Sequence, residues 1–259
     1  MSGGNRGDLT TGFIEPLAVA VVCELLQVPK ALRRKVSELS ELLESSEGTP
    51  EKLIAAVVDF AELIREIAAA GTNDLVVKLD GLSDQDIEIM FVTLLTAGRN
   101  SPTTFLSSAI FALLREPGKY GHLVDHPETI DNAVEELLRY TPVRVDGGFS
   151  RVALQDTKLG SVEIRAGEVV VPAMHAANRD AAVFARPEEL LLDRTVSQHF
   201  GLGHGAHYCV GAALARLEIG IAVHSLTQRL PALRLATPAA DIPWRPGPFR
   251  VLESLEVMW

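Results

Sequence analysis

Apolar residues recur along the first half of the chain with the spacing of buried and amphipathic helices. Residues 13–29 are largely apolar, and the step from Val28 to Pro29 should end that helix, because a residue before proline disfavours helical geometry. Residues 31–46 are amphipathic, and residues 50–71 begin with proline and end with glycine, as helices prefer. Residues 74–83 indicate a short helix or turn.

A longer helix is predicted over residues 83–115, with Ser83 as its N-cap and acidic residues in its first turn. Its middle is apolar nearly all round, which is typical of a helix that passes through a core. Pro102 lacks an N–H group and should kink the helix near Gly98 and Arg99. Another helix follows Pro127 and should stop at Thr141.

The pattern changes after residue 142, where short alternating segments broken by glycines predict strands up to about residue 175. A glycine-rich loop and a helix occupy about residues 199–230, and residues 243–259 are strand-like. The chain is therefore expected to be mainly α, with a helical body over about residues 8–141 and a small β region. Neither a repeat nor a low-complexity linker divides it, so residues 1–259 are interpreted as a single domain.

Composition narrows the possible partners and the cellular location. The 259 residues are 47% hydrophobic and 22% charged, with a net charge of −10. No basic stripe favours nucleic acid as a partner. No apolar run reaches the roughly 18 residues of a membrane span, and the polar N-terminus does not look like a signal peptide. We expect a cytoplasmic protein that contacts neither nucleic acid nor membrane.

The most informative segment is the loop of residues 199–211, in which glycines and histidines surround Cys209. Glycines allow tight turns and close approach of the backbone to a bulky group, and the helix that follows favours a thiolate over a thiol. Three interpretations are open: an inert buried cysteine, a zinc site made by His204, His207 and Cys209, or a thiolate ligand to haem iron. The fourth zinc ligand is not evident.

The third interpretation coincides with a family resemblance. The segment FGLGHGAHYCVG resembles the haem-binding loop of the cytochromes P450, F-G-x-G-x-H-x-C-x-G. The matching residues are Gly203, Gly205, His207, Cys209 and Gly211. Leu202 replaces the leading phenylalanine, and Phe200 lies two residues earlier. The resemblance implies haem b as cofactor, with Cys209 as the axial ligand of the iron.

Two further elements extend the resemblance over nearly the whole chain. Glu136 and Arg139 match the family's E-x-x-R element, and their spacing places both side chains on one face of a helix. The strands after residue 150 resemble the family's β region, which implies that Arg151 and His207 reach the haem propionates. The family's arginine in a P-E-R-F-like stretch is missing from RPEELLLDR, so Arg186 or Arg194 would have to replace it, or the network is incomplete.

The resemblance begins well inside the usual family chain, so the expected fold is a cytochrome P450 fold truncated at its N-terminus. The haem pocket would then lack one wall, and apolar surface would be exposed. Large exposed apolar patches favour association. We therefore expect a homodimer, or a partner protein that covers the open side.

The long helix departs from the pattern of family monooxygenases, which carry an acid followed by an alcohol after Ala-Gly and one more residue. Here Asn100 and Ser101 stand at those positions, after Ala97 and Gly98. Asparagine hydrogen-bonds but cannot relay a proton by ionising, so Ser101 and water would carry the relay. Arg99 would either attract an anionic substrate or turn outward, because an unpaired buried charge is costly.

Two functions follow from the resemblance. The first is a haem-thiolate monooxygenase that takes electrons from a ferredoxin-type donor and oxidises a small organic molecule in bacterial secondary metabolism. The altered relay would also suit peroxide use or a non-oxygenating rearrangement. The second is an accessory protein of the same fold without oxidative turnover, such as a glycosyltransferase activator. The complete cysteine motif favours haem binding.

Overall fold

The structure, a computed structural model, describes residues 6–44, 49–69, 81–144, 147–195, 198–247 and 249–259. The chain divides into two compact units. The first comprises residues 1–107 and 254–257, and the second comprises residues 108–253 and 258–259. The short helix or turn expected over residues 74–83 lies largely outside the described residues.

The first unit is built from helices, as the apolar pattern predicts. A π-helical turn at Thr10–Ile14 leads into α1, and a 3-10 turn at Lys30–Leu32 leads into α2. The helices are α1 (Glu15–Leu25), α2 (Arg33–Glu44), α3 (Pro50–Ala69) and the first part of α4 (Asp84–Arg115). Cys23, Phe60, Leu63, Phe91 and Leu95 are fully buried in their common core. Burial of apolar surface is therefore what holds these helices together.

Helix α1 ends earlier than predicted. It stops at Leu25 rather than at the step into Pro29, because Gln27 adopts a left-handed backbone with φ of 53°. The N–H of Val28 then donates to the carbonyl of Cys23 at 2.7 Å, which satisfies an end carbonyl of the helix. The proline only follows a stop that the backbone has already made.

Helix α4 begins and ends where the sequence predicts. The Ser83 hydroxyl oxygen accepts from the N–H of Asp86 at 3.1 Å, so Ser83 is the N-cap. The helix continues without interruption past Pro102 to Arg115. Its residues up to Ser107 belong to the first unit, and those from Ser108 belong to the second.

The second unit combines helices with short antiparallel strand pairs. Its helices are α5 (Lys119–Asp125), α6 (Ile130–Tyr140), α7 (Met174–Ala177) and α8 (Ala212–Arg229). Its strands are β2 (Arg151–Val152), β3 (Thr157–Leu159), β4 (Val162–Ile164), β5 (Val169–Val170) and β6 (Arg234–Leu235). Strand β2 pairs with β5, and β3 pairs with β4. The predicted β region is thus present, whereas α5 and α7 were not predicted.

The C-terminal region is less regular than its strand-like pattern suggests. Single bridges join Trp244 to Leu252 and Arg144 to Phe249. Strand β7 (Glu256–Met258) lies beside β1 (Arg6–Asp8), a strand that the sequence did not predict. Among the described residues, none of the helices has the length and apolarity needed to cross a membrane.

Candidate functional site

The loop before α8 is shaped by glycines in left-handed conformations. Gly203 and Gly205 have φ of 78° and 68°, values that side chains other than glycine rarely adopt. Between them and α8 lies a single 3-10 turn, Gly205–His207. The N–H of Cys209 donates to the carbonyl of Leu202 at 2.9 Å, and the N–H of Ala212 donates to the carbonyl of Cys209 at 3.1 Å. Cys209 is therefore fixed at the point where the loop becomes a helix.

Gly201 is needed for a different reason, which is close packing. A Cβ atom at this position would overlap the carbonyl oxygen of Leu138 on α6. The loop can therefore pass against the end of α6 only with glycine there. Gly211 has no such constraint, since an added Cβ would lie 4.0 Å from the Sγ of Cys209.

The two cysteines have opposite environments, and neither is disulfide-bonded. Burial raises the pKa of the Cys23 thiol to about 11, so that side chain is an inert core residue. Cys209 is partly exposed. Its position at the helix start is the one the sequence predicts for a ligand rather than for a core residue.

The zinc alternative is not supported. In the described parts of the chain, His204, His207 and Cys209 do not form a metal-binding group, and neither does any other set of three His, Cys, Asp or Glu side chains. Structural zinc sites need convergent side-chain ligands. Instead, His204 makes an edge-on contact with the ring of Phe200, at 6.0 Å between centroids.

The pair Glu136 and Arg139 is completely buried and makes a bidentate ion pair. The Nε and Nη2 atoms of Arg139 donate to the two carboxylate oxygens at 2.7 and 2.8 Å. Arg194 adds a third charge, since its Nε donates to Glu136 at 3.0 Å. Arg194 therefore completes the network, whereas Arg186 pairs with Glu189 at the surface. The possibility of an incomplete network is thereby removed.

The segment of α4 around residue 100 belongs to the first unit. Gly98 packs against α1, where an added Cβ would lie only 2.6 Å from the Cγ2 of Val22. Asn100 is buried, and its Oδ1 accepts from the Nη1 of Arg99 at 2.9 Å. Arg99 is itself buried, so the expectation that it turns outward is wrong. Ser101 and Ala97 are exposed.

The two expected propionate ligands lie open to solvent. His207 is exposed, and its ring extends from the 3-10 turn of the loop. Arg151 is exposed at the start of β2, where its Nη1 donates to the carbonyls of Phe149 and Ser150 at 2.8 and 3.2 Å. Both side chains are thus available to an anionic group, and their roles stay predictions.

Glu218 was missed by the sequence analysis. It lies on α8 and is buried, and burial raises the pKa of its carboxyl group to about 7. Its Oε1 atom has no hydrogen-bond partner among the described residues. The signal was available, because Glu218 directly precedes Ile219 and lies one turn before Ala222, both of which are buried.

The residues near Cys209 fit a flat, largely apolar group that contains a soft metal. Val210 is 90% exposed, and the rings of Phe200 and Tyr208 are also accessible. A partly exposed thiol beside exposed apolar side chains suits iron within a porphyrin better than a hydrated ion. The fold and this loop together define a mainly helical protein of the haem-thiolate class.

Comparisons with known proteins give the same assignment. The cytochrome P450 family profile matches residues 122–233. Mycinamicin IV hydroxylase/epoxidase of Micromonospora griseorubida is 39% identical over 99% of this chain and 68% of its own length. Nocardicin C N-oxygenase of Nocardia uniformis subsp. tsuyamanensis is 37% identical over 99% of this chain and 67% of its own length.

A solved structure supports the fold. The LnmA cytochrome P450 hydroxylase of Streptomyces atroolivaceus S-140 matches with a TM-score of 0.91 and 36% identity, over 99% of this chain and 69% of its own. This chain belongs to the cytochrome P450 family, whose cofactor is haem held by a cysteine thiolate. It is a bacterial-type monooxygenase, and it spans about two thirds of the length of these relatives.

Replacement of Arg194 by alanine should destabilise the protein strongly. It removes a partner from the buried carboxylate of Glu136, and breaking a buried ion pair costs about 3–5 kcal/mol in free energy of unfolding. Arg186→Ala is the matched control, since that exposed pair contributes about 0–1 kcal/mol. Urea unfolding of both variants measures the difference, and equal losses would contradict the assignment of Arg194 to the network.

Glu218 should make stability depend on pH. Its folded-state pKa lies above that of the unfolded chain, so the folded state keeps the proton and loses stability as the pH rises from about 5 through 7. Glu218→Gln mimics the protonated form and should be more stable at pH 8, by at most about 3 kcal/mol, and nearly equal at pH 4.5. Urea unfolding at both pH values tests this, with the exposed Glu163→Gln as control. A difference that does not vary with pH would refute it.

Proposed function

We propose that this chain uses haem bound through Cys209 to oxidise a small organic molecule in bacterial secondary metabolism. The observation that carries the proposal is the placement of Cys209, which is partly exposed between glycine turns and the start of α8. Haem held in this way supplies the activation of dioxygen. The protein supplies the iron ligand, the pocket and the protons.

The groups that hold the cofactor come from two parts of the second unit. Gly203, Gly205 and Gly211 give the loop the shape and low bulk that let a macrocycle approach the thiolate. His207 and Arg151 bind the two propionates, since both side chains are exposed and can donate to an anion. The structural pair Glu136 and Arg139 supports this arrangement from inside the unit.

Proton supply is assigned to the segment of α4 that contains Ala97, Gly98, Asn100 and Ser101. Asn100 is engaged by the guanidinium of Arg99 and cannot exchange a proton by ionising. Ser101 is exposed and can hydrogen-bond to water. The relay therefore runs through the Ser101 hydroxyl and water, with the small Ala97 and Gly98 leaving room beside it.

The proposed partners follow from the same chemistry. The electrons come from a ferredoxin-type donor. A homodimer, or another protein, covers the apolar side chains that the β region exposes, among which Leu154 is 95% exposed. Exposed members of this surface are Phe149, Val152, Leu154, Val162 and Val169.

The accessory-protein alternative is not favoured by the comparisons. The relatives reported above are named for hydroxylase, epoxidase and N-oxygenase activities. The altered pair at Asn100 and Ser101 is compatible with slow turnover and does not require its loss. Oxidation is therefore the function that these observations support best.

Cys209→Ala should abolish thiolate ligation of haem. The purified chain should bind haem stoichiometrically and give the red-shifted Soret band of a thiolate-ligated ferrous-CO complex, whereas Cys209→Ala should not, because alanine offers no ligand. Cys23→Ala is the matched control and should keep the band, since Cys23 is a core residue. A folded wild-type chain that takes up no haem would refute the proposal.

Restoring an acid and a threonine in α4 should improve coupling. In Asn100→Asp combined with Ser101→Thr, a carboxylate can exchange protons, and a positioned acid-base group typically contributes a factor of about 100 or more to rate. Peroxide released per NADPH consumed should fall in the reconstituted system, while Ser101→Ala should raise it. If the double variant releases as much peroxide as the wild type, the relay does not pass through these positions.

A further inference from the structure

Glu135 lies beside Glu136 on α6, but its side chain contacts a different part of the chain. Its Oε2 is 3.0 Å from the Nε2 of His199. The guanidinium of Arg216 on α8 donates to both of its oxygens, with 3.1 Å between Nη2 and Oε2. Burial raises the pKa of Glu135, but these hydrogen bonds outweigh it and leave the pKa below its usual value. The carboxylate is therefore charged and fully engaged.

His199 connects this carboxylate to the entry of the cysteine loop. Its side chain is only 4% exposed, and its Nδ1 accepts from the N–H of Gly201 at 3.0 Å. A ring nitrogen that accepts carries no proton, so the proton is on Nε2, which donates to Glu135. The ring can satisfy both partners in this one tautomer, which fixes its orientation.

The chain of contacts continues to Cys209 from both sides. After Gly201, the carbonyl of Leu202 accepts the N–H of Cys209 at 2.9 Å. On the other side, the Nη1 of Arg216 donates to the hydroxyl of Tyr208 at 3.1 Å, and Tyr208 directly precedes Cys209. One carboxylate is thus linked to the backbone partner of Cys209 through His199, and to the residue before it through Arg216.

We infer that Glu135 is a positioning residue that holds the Cys209 thiol in place through His199 and Tyr208. The inference rests on the proposed function only in that Cys209 is taken as the iron ligand. It assigns separate tasks to two neighbouring glutamates: Glu136 stabilises the interior of the second unit, and Glu135 orders the loop that carries the thiol.

Thiol reactivity of the haem-free protein tests the positioning directly. Cys23 is buried with a raised pKa and should stay silent in native buffer, so a disulfide reagent reports on Cys209 alone. Glu135→Ala should react about tenfold faster than the wild type, the size expected when a hydrogen bond to a charged group is lost. Tyr208→Phe and His199→Ala should each raise the rate by a smaller factor, because each removes one of the two links.

Charge and folding are controlled within the same set. Tyr208→Phe leaves the charge unchanged, so a faster reaction in it cannot come from removing a carboxylate near the thiol. The exposed Glu163→Gln removes a charge away from this network and should react like the wild type. Should Glu135→Ala not fold, as judged by circular dichroism, Glu135→Gln and Tyr208→Phe carry the test. Unchanged rates in the folded variants would overturn the inference.

The haem-loaded protein gives a second readout that a purely structural role would not move. Glu135→Ala and His199→Ala should convert part of the ferrous-CO complex from the thiolate Soret band to the shorter-wavelength band of a lost thiolate, while Glu163→Gln should not. If the wild type lacks the thiolate band but the variants still react faster, the proposed ligand role fails and the positioning of the thiol stands. If the wild type shows the band and the variants match it in both readouts, the positioning role fails alone.

Discussion

The buried guanidinium of Arg139 is the constraint on which the second unit depends. An arginine has five N–H donors and cannot be neutralised, so each donor needs an acceptor when water is excluded. Arg139 makes five contacts of 2.7–3.1 Å: two to the carboxylate of Glu136 and three to the carbonyls of Asn178, Pro187 and Glu189. The backbone from residue 178 to residue 189 therefore has to wrap around this one side chain.

The cysteine loop inherits its position from that wrapping. Asn178 gives its carbonyl oxygen to Arg139, and its side-chain Oδ1 accepts the N–H of Phe200 at 2.7 Å. The first residues of the loop are thus attached to a segment that the buried charge has already placed. A contact with an interior charge is rigid, because releasing it would leave an unpaired ion in a medium of low dielectric constant. The thiol at the far end of the loop benefits from this rigidity.

The sequence predicted the parts of this arrangement that depend on local rules. The N-cap at Ser83, the glycine turns at Gly203 and Gly205 and the spacing of Glu136 and Arg139 all follow from backbone or helix geometry within a few residues. It could not choose between Arg186 and Arg194, because the two lie on one segment and only the tertiary fold decides which of them faces Glu136. The burial of Arg99 and the pairing of β1 with β7 were missed for the same reason, since both depend on distant contacts.

The adjacent glutamates of α6 show how a single helical step separates structure from function. Consecutive residues on an α-helix point about 100° apart, so Glu135 and Glu136 cannot serve the same partner. Glu136 shares the buried face with Ala133 and Leu137, which forces an interior charge pair. Glu135 lies at the edge of that face, where Arg216 and His199 reach it and part of the carboxylate stays exposed. A shift of one residue in this helix would place the wrong carboxylate in the interior and leave the thiol loop without its anchor.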